Sequence, residues 1–227
     1  MSNKDNEFVP VIGVDYSLNC PCFCFHKSID DYYYIVFISA HLVGSDNTKT
    51  KKLIDQLNQL PNVEIYITPI IDESSETSET KSILENTRFA FSNFKEHMNG
   101  ISDVIFEGFS FMSSSSKLYQ FAGSNYYMRG HFIDNDLNVH VVSPKTVKKL
   151  AGNGSADKEE MLRFFLEKSK DSELKMLIQN YLDNSKAKAI AKPLDDIVDS
   201  YWISNSFELI TKKQTKVKKT AKKKKEK

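Results

Sequence analysis

The sequence predicts an α/β fold, a mixed sheet covered by helices and followed by a basic tail. Three observations point to it. Short apolar runs at residues 9–16, 103–107 and 139–142 have the length and composition of buried core strands. Two runs rich in aromatic and β-branched residues, 20–26 and 32–39, flank the polar stretch 27–31, so they form an antiparallel meander with the first strand. Beyond residue 80 the chain alternates between strand-like runs and segments of helical period, the pattern of a sheet with helices packed on it.

The elements follow in order. After the meander, residues 51–60 read as a short helix, and 63–71 as a further strand or an extended connection. The Ser/Thr/Glu-rich stretch 72–80 reads as an exposed loop. Ile83, Leu84, Phe89, Phe91 and Phe94 recur at roughly helical spacing, which predicts a helix over 81–98. The strand 103–107 leads through the serine run 113–116 to a helix over about 117–131. Pro144 suits the first turn of a helix ending near Leu150, because its missing N–H has no helical partner there. Gly152-Asn-Gly154 breaks the chain, and Ser155 can cap a helix from about 157 to 168. Helices over 173–182 and about 194–209 complete the body. Residues 1–210 therefore read as one domain, well within the length a single α/β unit takes.

The net charge of +1 conceals an asymmetry. Residues 211–227 hold ten lysines and one glutamate, so the tail carries +9 and the body about −8. Such a tail cannot bury enough surface to fold and is expected to be disordered, with Lys222, Lys223 and Lys224 available for salt-sensitive contact with nucleic acid. A solubility tail and an import-like basic run are the plainer readings. An acidic body with a basic arm suits a DNA enzyme whose pocket is itself acidic. No run approaches the roughly 20 apolar residues that span a bilayer, and the polar N-terminus lacks a signal-peptide pattern. A cytoplasmic protein with no membrane partner is expected. Cys20, Cys22 and Cys24 share one face at strand spacing; without a second cysteine pair they read as small buried hydrophobes rather than zinc ligands.

The chemistry is carried by acids placed where a solvated charge does not belong. Asp15 ends the apolar run Val9-Pro-Val-Ile-Gly-Val14, and Glu107 ends Val104-Ile-Phe106. Asp196 and Asp199 lie three apart in an apolar helix and therefore on one face. Bare carboxylates in apolar surroundings must be paired, protonated or bound to cations. Hard divalent ions with oxygen ligands account for several at once. If the helix docks across the strand ends, the acids converge on a centre for two ions ~3.5–4 Å apart and in-line phosphodiester displacement. N-capping and surface ion pairing are the plainer alternatives for the same acids.

At these residues the sequence resembles a known family. Ile12-Gly-Val-Asp-Tyr-Ser17 resembles the first strand of RuvC-like Holliday-junction resolvases, the bacteriophage branch in particular, and Ile105-Phe-Glu-Gly-Phe-Ser110 their second acidic strand. The stretch from Ser143 to Met161, with Pro144, Lys148-Lys149, Gly152-Asn-Gly154 and Ala156-Asp-Lys158, is similar to their basic segment, and Asp196-Ile-Val-Asp-Ser-Tyr201 to their last acidic helix. The resemblance implies an RNase H-like mixed five-stranded sheet, Mg²⁺ (with Mn²⁺ as substitute), and a homodimer acting on four-way junctions and other branched DNA. A virus- or phage-encoded protein acting inside the host cell is the corresponding expectation. Asp15, Glu107, Asp196 and Asp199 would be the metal ligands and, with Lys158, the catalytic set. Lys148, Lys149 and Phe111 would contact DNA, Phe111 as a wedge at the crossover. Asp195 is expected to point away from the face of Asp196 and Asp199. The helix after Glu107 is bulkier than the family's, and residues 46–79 have no clear counterpart in it. Two other readings stand beside this one. A catalytically inactive junction-binding protein would keep the fold and the tail. An actin-like or sugar-kinase-fold ATPase also begins with Ile-Gly-Val-Asp, but the eight glycines form no phosphate loop.

Overall fold

The structure is a computed structural model and describes residues 8–44, 48–108, 118–184 and 191–211. Phe111 and the lysines of the tail lie outside the described residues. Among the described residues no helix is long and apolar enough to cross a membrane.

The meander forms as expected: β1 (Val11–Asp15), β2 (Cys22–Ser28) and β3 (Asp31–Ser39) pair antiparallel in sequence order. β5 (Asp103–Glu107) then adds parallel to β1, and β6 (Asn138–Val142) parallel to β5. The sheet has six strands rather than the expected five, because β4 (Val63–Thr68) pairs parallel to β3 at the far edge. A parallel partner needs a crossover. The short helices α1 (Ala40–Val43) and α2 (Thr48–Leu57) lie in that connection, and α2 and β4 fall within the stretch 46–79 that had no counterpart in the resembled family. The strand order is β4-β3-β2-β1-β5-β6.

Strand side chains alternate between two faces, and each face has its own core. Ile12, Val14, Phe23, Phe25, Ile35, Phe37, Val104 and Phe106 point to one side. There they pack on Phe91 and Phe94 of α3 (Glu76–Phe94) and on Met128 and Phe132 of α4 (Leu118–Ile133). Val11, Cys22, Cys24, Tyr34, Val36 and Ile105 point to the other. That face is covered by α5 (Pro144–Ala151), α6 (Lys158–Lys168), α7 (Ser172–Asn184) and α8 (Leu194–Asn205). The three cysteines are buried free thiols in this second core, as small hydrophobes.

Two helix starts differ from expectation for reasons of capping. α3 begins five residues before Lys81 because the Ser75 hydroxyl accepts from the Ser78 N–H, and Glu76 and Glu79 favour the positive end of the helix. The polar stretch read as loop is thus helical from Glu76. α6 is capped by Asp157 rather than Ser155: Asp157 accepts from the Glu160 N–H at 2.9 Å, and Glu160 returns the bond to the Asp157 N–H at 3.1 Å. Ser155 instead bonds Asn153.

Candidate metal centre

Asp15 and Glu107 are the last residues of adjacent parallel strands. The register pairs Val14 with Phe106, which sets Asp15 beside Glu107 across a strand spacing of about 4.8 Å. Both share the side of the sheet that carries Val11 and Ile105, so both point towards the layer that contains α8.

Close approach of α8 depends on the small residues beneath it. A Cβ at Gly13 would lie 2.3 Å from the Ser204 backbone N and 2.5 Å from the Ser200 carbonyl oxygen, so no side chain fits between β1 and α8. On β2, Cys22 Sγ meets Ser200 Oγ at 3.3 Å and Cys24 Sγ meets Ser204 Oγ at 3.5 Å. Ser200 and Ser204 in turn donate to the carbonyls of Ile197 and Tyr201, so their hydroxyls are satisfied in a dry interface. The other flank of α8 is fixed by Trp202, whose Nε1 donates to the Met161 carbonyl at 3.2 Å.

This docking carries the N-terminal turns of α8 over the acidic strand ends. Asp195 and Asp196 are buried, at 7% and 4% exposure. The expectation that Asp195 points away is wrong: it lies four residues before Asp199 and so shares the inward face as well. Lys158, at the start of α6, reaches Asp195 Oδ2 at 2.6 Å. Lys192, in the turn before α8, reaches Asp196 Oδ1 at 2.6 Å.

The electrostatics show the acids acting on one another. Burial raises the Asp15 carboxyl well above the usual range, and the charges of Asp199, Asp196 and Glu107 raise it further, with Lys192 opposing. Burial pushes Glu107 up to about 7 against the pull of Lys148. Asp199 also rises to about 7, through burial first and then the charge of Glu107. Asp196 is raised by burial and by Asp195, and held down by Lys192. Burial disfavours the Lys158 and Lys192 ammoniums, but the aspartates more than offset it, and both lysines sit above their ordinary value. Five carboxylates and two paired ammoniums leave the cluster with excess negative charge that only protons or added cations can neutralise.

The donor set fits a hard divalent cation in kind: carboxylate oxygens, clustered and partly desolvated. Two buried oxygens, Asp195 Oδ1 and Asp196 Oδ2, have no hydrogen-bond donor at bonding geometry among the described residues. The cluster is not a finished cage, however. Among the described residues no three His, Cys, Asp or Glu side chains are gathered closely enough to hold an ion as they stand. Of the basic residues, Lys148 is half-buried and acts on Glu107, Lys158 is spent on Asp195, and Lys149 is exposed. Sequence reasoning missed Lys192 and misjudged Asp195. The signals were there, since Lys192 precedes Asp196 by one helical turn and Asp195 precedes Asp199 by the same interval.

No protein-family model matches the chain, and no curated protein matches it in sequence. Among solved structures, the chain is similar to RuvC of Thermus thermophilus, with 14% identity over 89% of this chain and 96% of that one and a TM-score of 0.46. It is similar to the yeast mitochondrial Holliday junction resolvase Ydc2, with 15% identity over 88% and 79% and a TM-score of 0.48. It is also similar to the Fowlpox virus resolvase in complex with substrate Holliday junction DNA, with 17% identity over 88% and 96% and a TM-score of 0.43. These are distant likenesses of overall shape.

Proposed function

We propose that the chain is a Mg²⁺-dependent, structure-selective endodeoxyribonuclease that resolves four-way junctions and related branched DNA as a homodimer. The observation that carries the reading is the meeting of Asp15, Glu107, Asp196 and Asp199 from two parallel strand ends and one helix, with Asp15 raised by the charge of all three partners. Acids so far apart in sequence, desolvated together, have no structural role that apolar residues would not fill better. The four ordered sequence blocks that resemble the RuvC-like resolvases support the same reading.

In this reading Asp15 and Glu107 are held rigidly by the sheet, and Asp196 and Asp199 by α8. Two divalent ions bound among them would activate a water and stabilise the leaving oxygen of the scissile phosphodiester. The low-dielectric surroundings of the acids strengthen whatever charge pairs with them. Lys148, half-buried beside Glu107, is suited to holding a phosphate oxygen at the rim. Lys149 and the tail lysines would add sequence-independent attraction for the DNA backbone.

The test is incubation with a synthetic four-way junction, a Y-fork and a linear duplex, each with Mg²⁺ and with chelator. Paired symmetric nicks on the junction, lost in chelator and in Asp15→Asn while junction binding persists, are expected. Cleavage by Asp15→Asn at the wild-type rate would remove the assignment. One observation favours a second reading, a non-catalytic junction-binding protein: Lys192 and Lys158 already neutralise Asp196 and Asp195. Junction binding without nicking at any Mg²⁺ or Mn²⁺ concentration would select it.

A further inference from the structure

We propose that Lys192 is a tethered cation occupying one ion position of the carboxylate cluster, and that a divalent ion entering at Asp196 must displace it. The inference rests on the metal-centre reading and adds a residue that reading does not need. The lysine sits in the turn before α8, with Pro193 at the N-cap, one helical turn from Asp196. Its ammonium lies 2.6 Å from Asp196 Oδ1, inside a cluster where it also acts on Asp15 and Asp195. Asp196 is 4% exposed, and its second oxygen is held by no well-formed hydrogen bond among the described residues. Beside Lys192, the weakly donating Cys20 thiol also acts on this carboxyl. A carboxylate so placed cannot release one cation without receiving another.

The arrangement divides the cluster into two halves. Asp15, Glu107 and Asp199 have no ion-pair partner among the described residues, whereas Asp196 and Asp195 are each closed by a lysine. A first divalent ion therefore has no directly paired lysine to displace on the open half, where Lys148, Lys158 and Lys192 act only from a distance. A second meets Lys192. The exit is available, because the Lys192 side chain keeps 38% exposure and its long stem can carry the ammonium to solvent without moving the backbone. Lys158 differs: its side chain is 70% exposed, and its partner is Asp195 on the rim side next to α6. Lys192 is thus a positioning residue, holding Asp196 in its inward rotamer until an ion arrives.

The experiment is Mn²⁺ titration of the full chain without DNA, followed by calorimetry and by the electron paramagnetic signal of free Mn²⁺. Wild type, Lys192→Met, Lys192→Arg and Asp199→Asn are compared. Lys192→Met is expected to bind Mn²⁺ about tenfold more tightly or to take up an additional equivalent, since one competing charge next to a partly buried carboxylate has been removed. Lys192→Arg, which keeps the charge, should titrate like the wild type. Asp199→Asn should lose binding. Mn²⁺ binding to Lys192→Met equal to or weaker than wild type, with Asp199→Asn impaired, overturns the displacement while leaving the metal centre standing. Failure of wild type and every variant to bind overturns both. Where Lys192→Met does not fold alone, refolding on addition of millimolar Mn²⁺ supports the exchange of one cation for the other, and failure to refold overturns it.

Discussion

Gly13→Ala tests the link between packing and the centre. The added methyl would stand 2.3 Å from the Ser204 N, where ordinary contact begins at 3.4 Å, so α8 must move by about 1.1 Å. Neither neighbour can yield as a flexible side chain would, because the three nearest atoms are all backbone. Overpacking of this kind costs ~1–3 kcal/mol and occasionally more. A displacement of about 1 Å in catalytic geometry can cost ~100-fold in rate. Gly13→Ala is therefore predicted to lower the denaturation midpoint and to reduce junction cleavage by a larger factor than the loss of folded protein explains. Gly123→Ala in α4 is the control. Its Cβ would meet nothing within 4 Å, so it should stabilise by about 0.5–1 kcal/mol through helix propensity. Urea denaturation and single-turnover cleavage measure both quantities. A Gly13→Ala protein with wild-type midpoint and rate would refute the claim that α8 is seated on β1 at this glycine.

Three further predictions follow from the same geometry. Glu107 and Asp199 hold protons up to about pH 7 in the folded chain, against ordinary values of 4.5 and 3.8. Between those limits the native state binds protons that the unfolded chain has released, so the contribution of these groups weakens stability as pH rises towards 7. Metal-free protein is predicted to melt lower at pH 8 than at pH 5.5, Mg²⁺ to reverse the trend, and Glu107→Gln to flatten it. Thermal melts across that range check it, and a Glu107→Gln profile as steep as wild type would contradict it. Asp157→Ala removes the carboxylate that accepts from the Glu160 N–H at the start of α6, leaving only the Glu160 half of the capping box, and should cost about 1 kcal/mol, read from the shift in urea midpoint. Removal of residues 212–227, with ten lysines and one glutamate, should weaken junction binding and flatten its dependence on salt, while single-turnover cleavage of bound junction is retained. An unchanged salt slope would place DNA binding elsewhere.

Much of the fold was legible because local signals agreed with the tertiary outcome. β5 was read at its observed limits, since Val104, Ile105 and Phe106 are apolar on both faces and a strand buried on both faces has no other composition. The strand β4 stayed ambiguous because an edge strand is half exposed, and Ile67 faces solvent at 53%. The start of α3 was missed because its first turn is polar, and the Ser75 cap is indistinguishable in sequence from the serines around it. In the candidate site, Asp15 and Glu107 stood out because a charge ending an apolar strand is conspicuous. Asp195 was misjudged although its spacing to Asp199 was readable, because the burial of both flanks of the helix start was not.

From the sequence by itself came the classes of element, the excess of acid in the body over the tail, and the four acids worth watching. All of these are consequences of local composition and period. Only the folded chain decided that β1 and β5 lie side by side in register, that α8 crosses directly on Gly13, and that Asp15 and Glu107 share a neighbourhood with Asp196 and Asp199. Those are contacts between residues up to about 190 positions apart, fixed by where two cores find room to close. The charge on Asp15 and Glu107 is set by that closure, whereas Asp196 also answers to its chain neighbours Asp195 and Lys192.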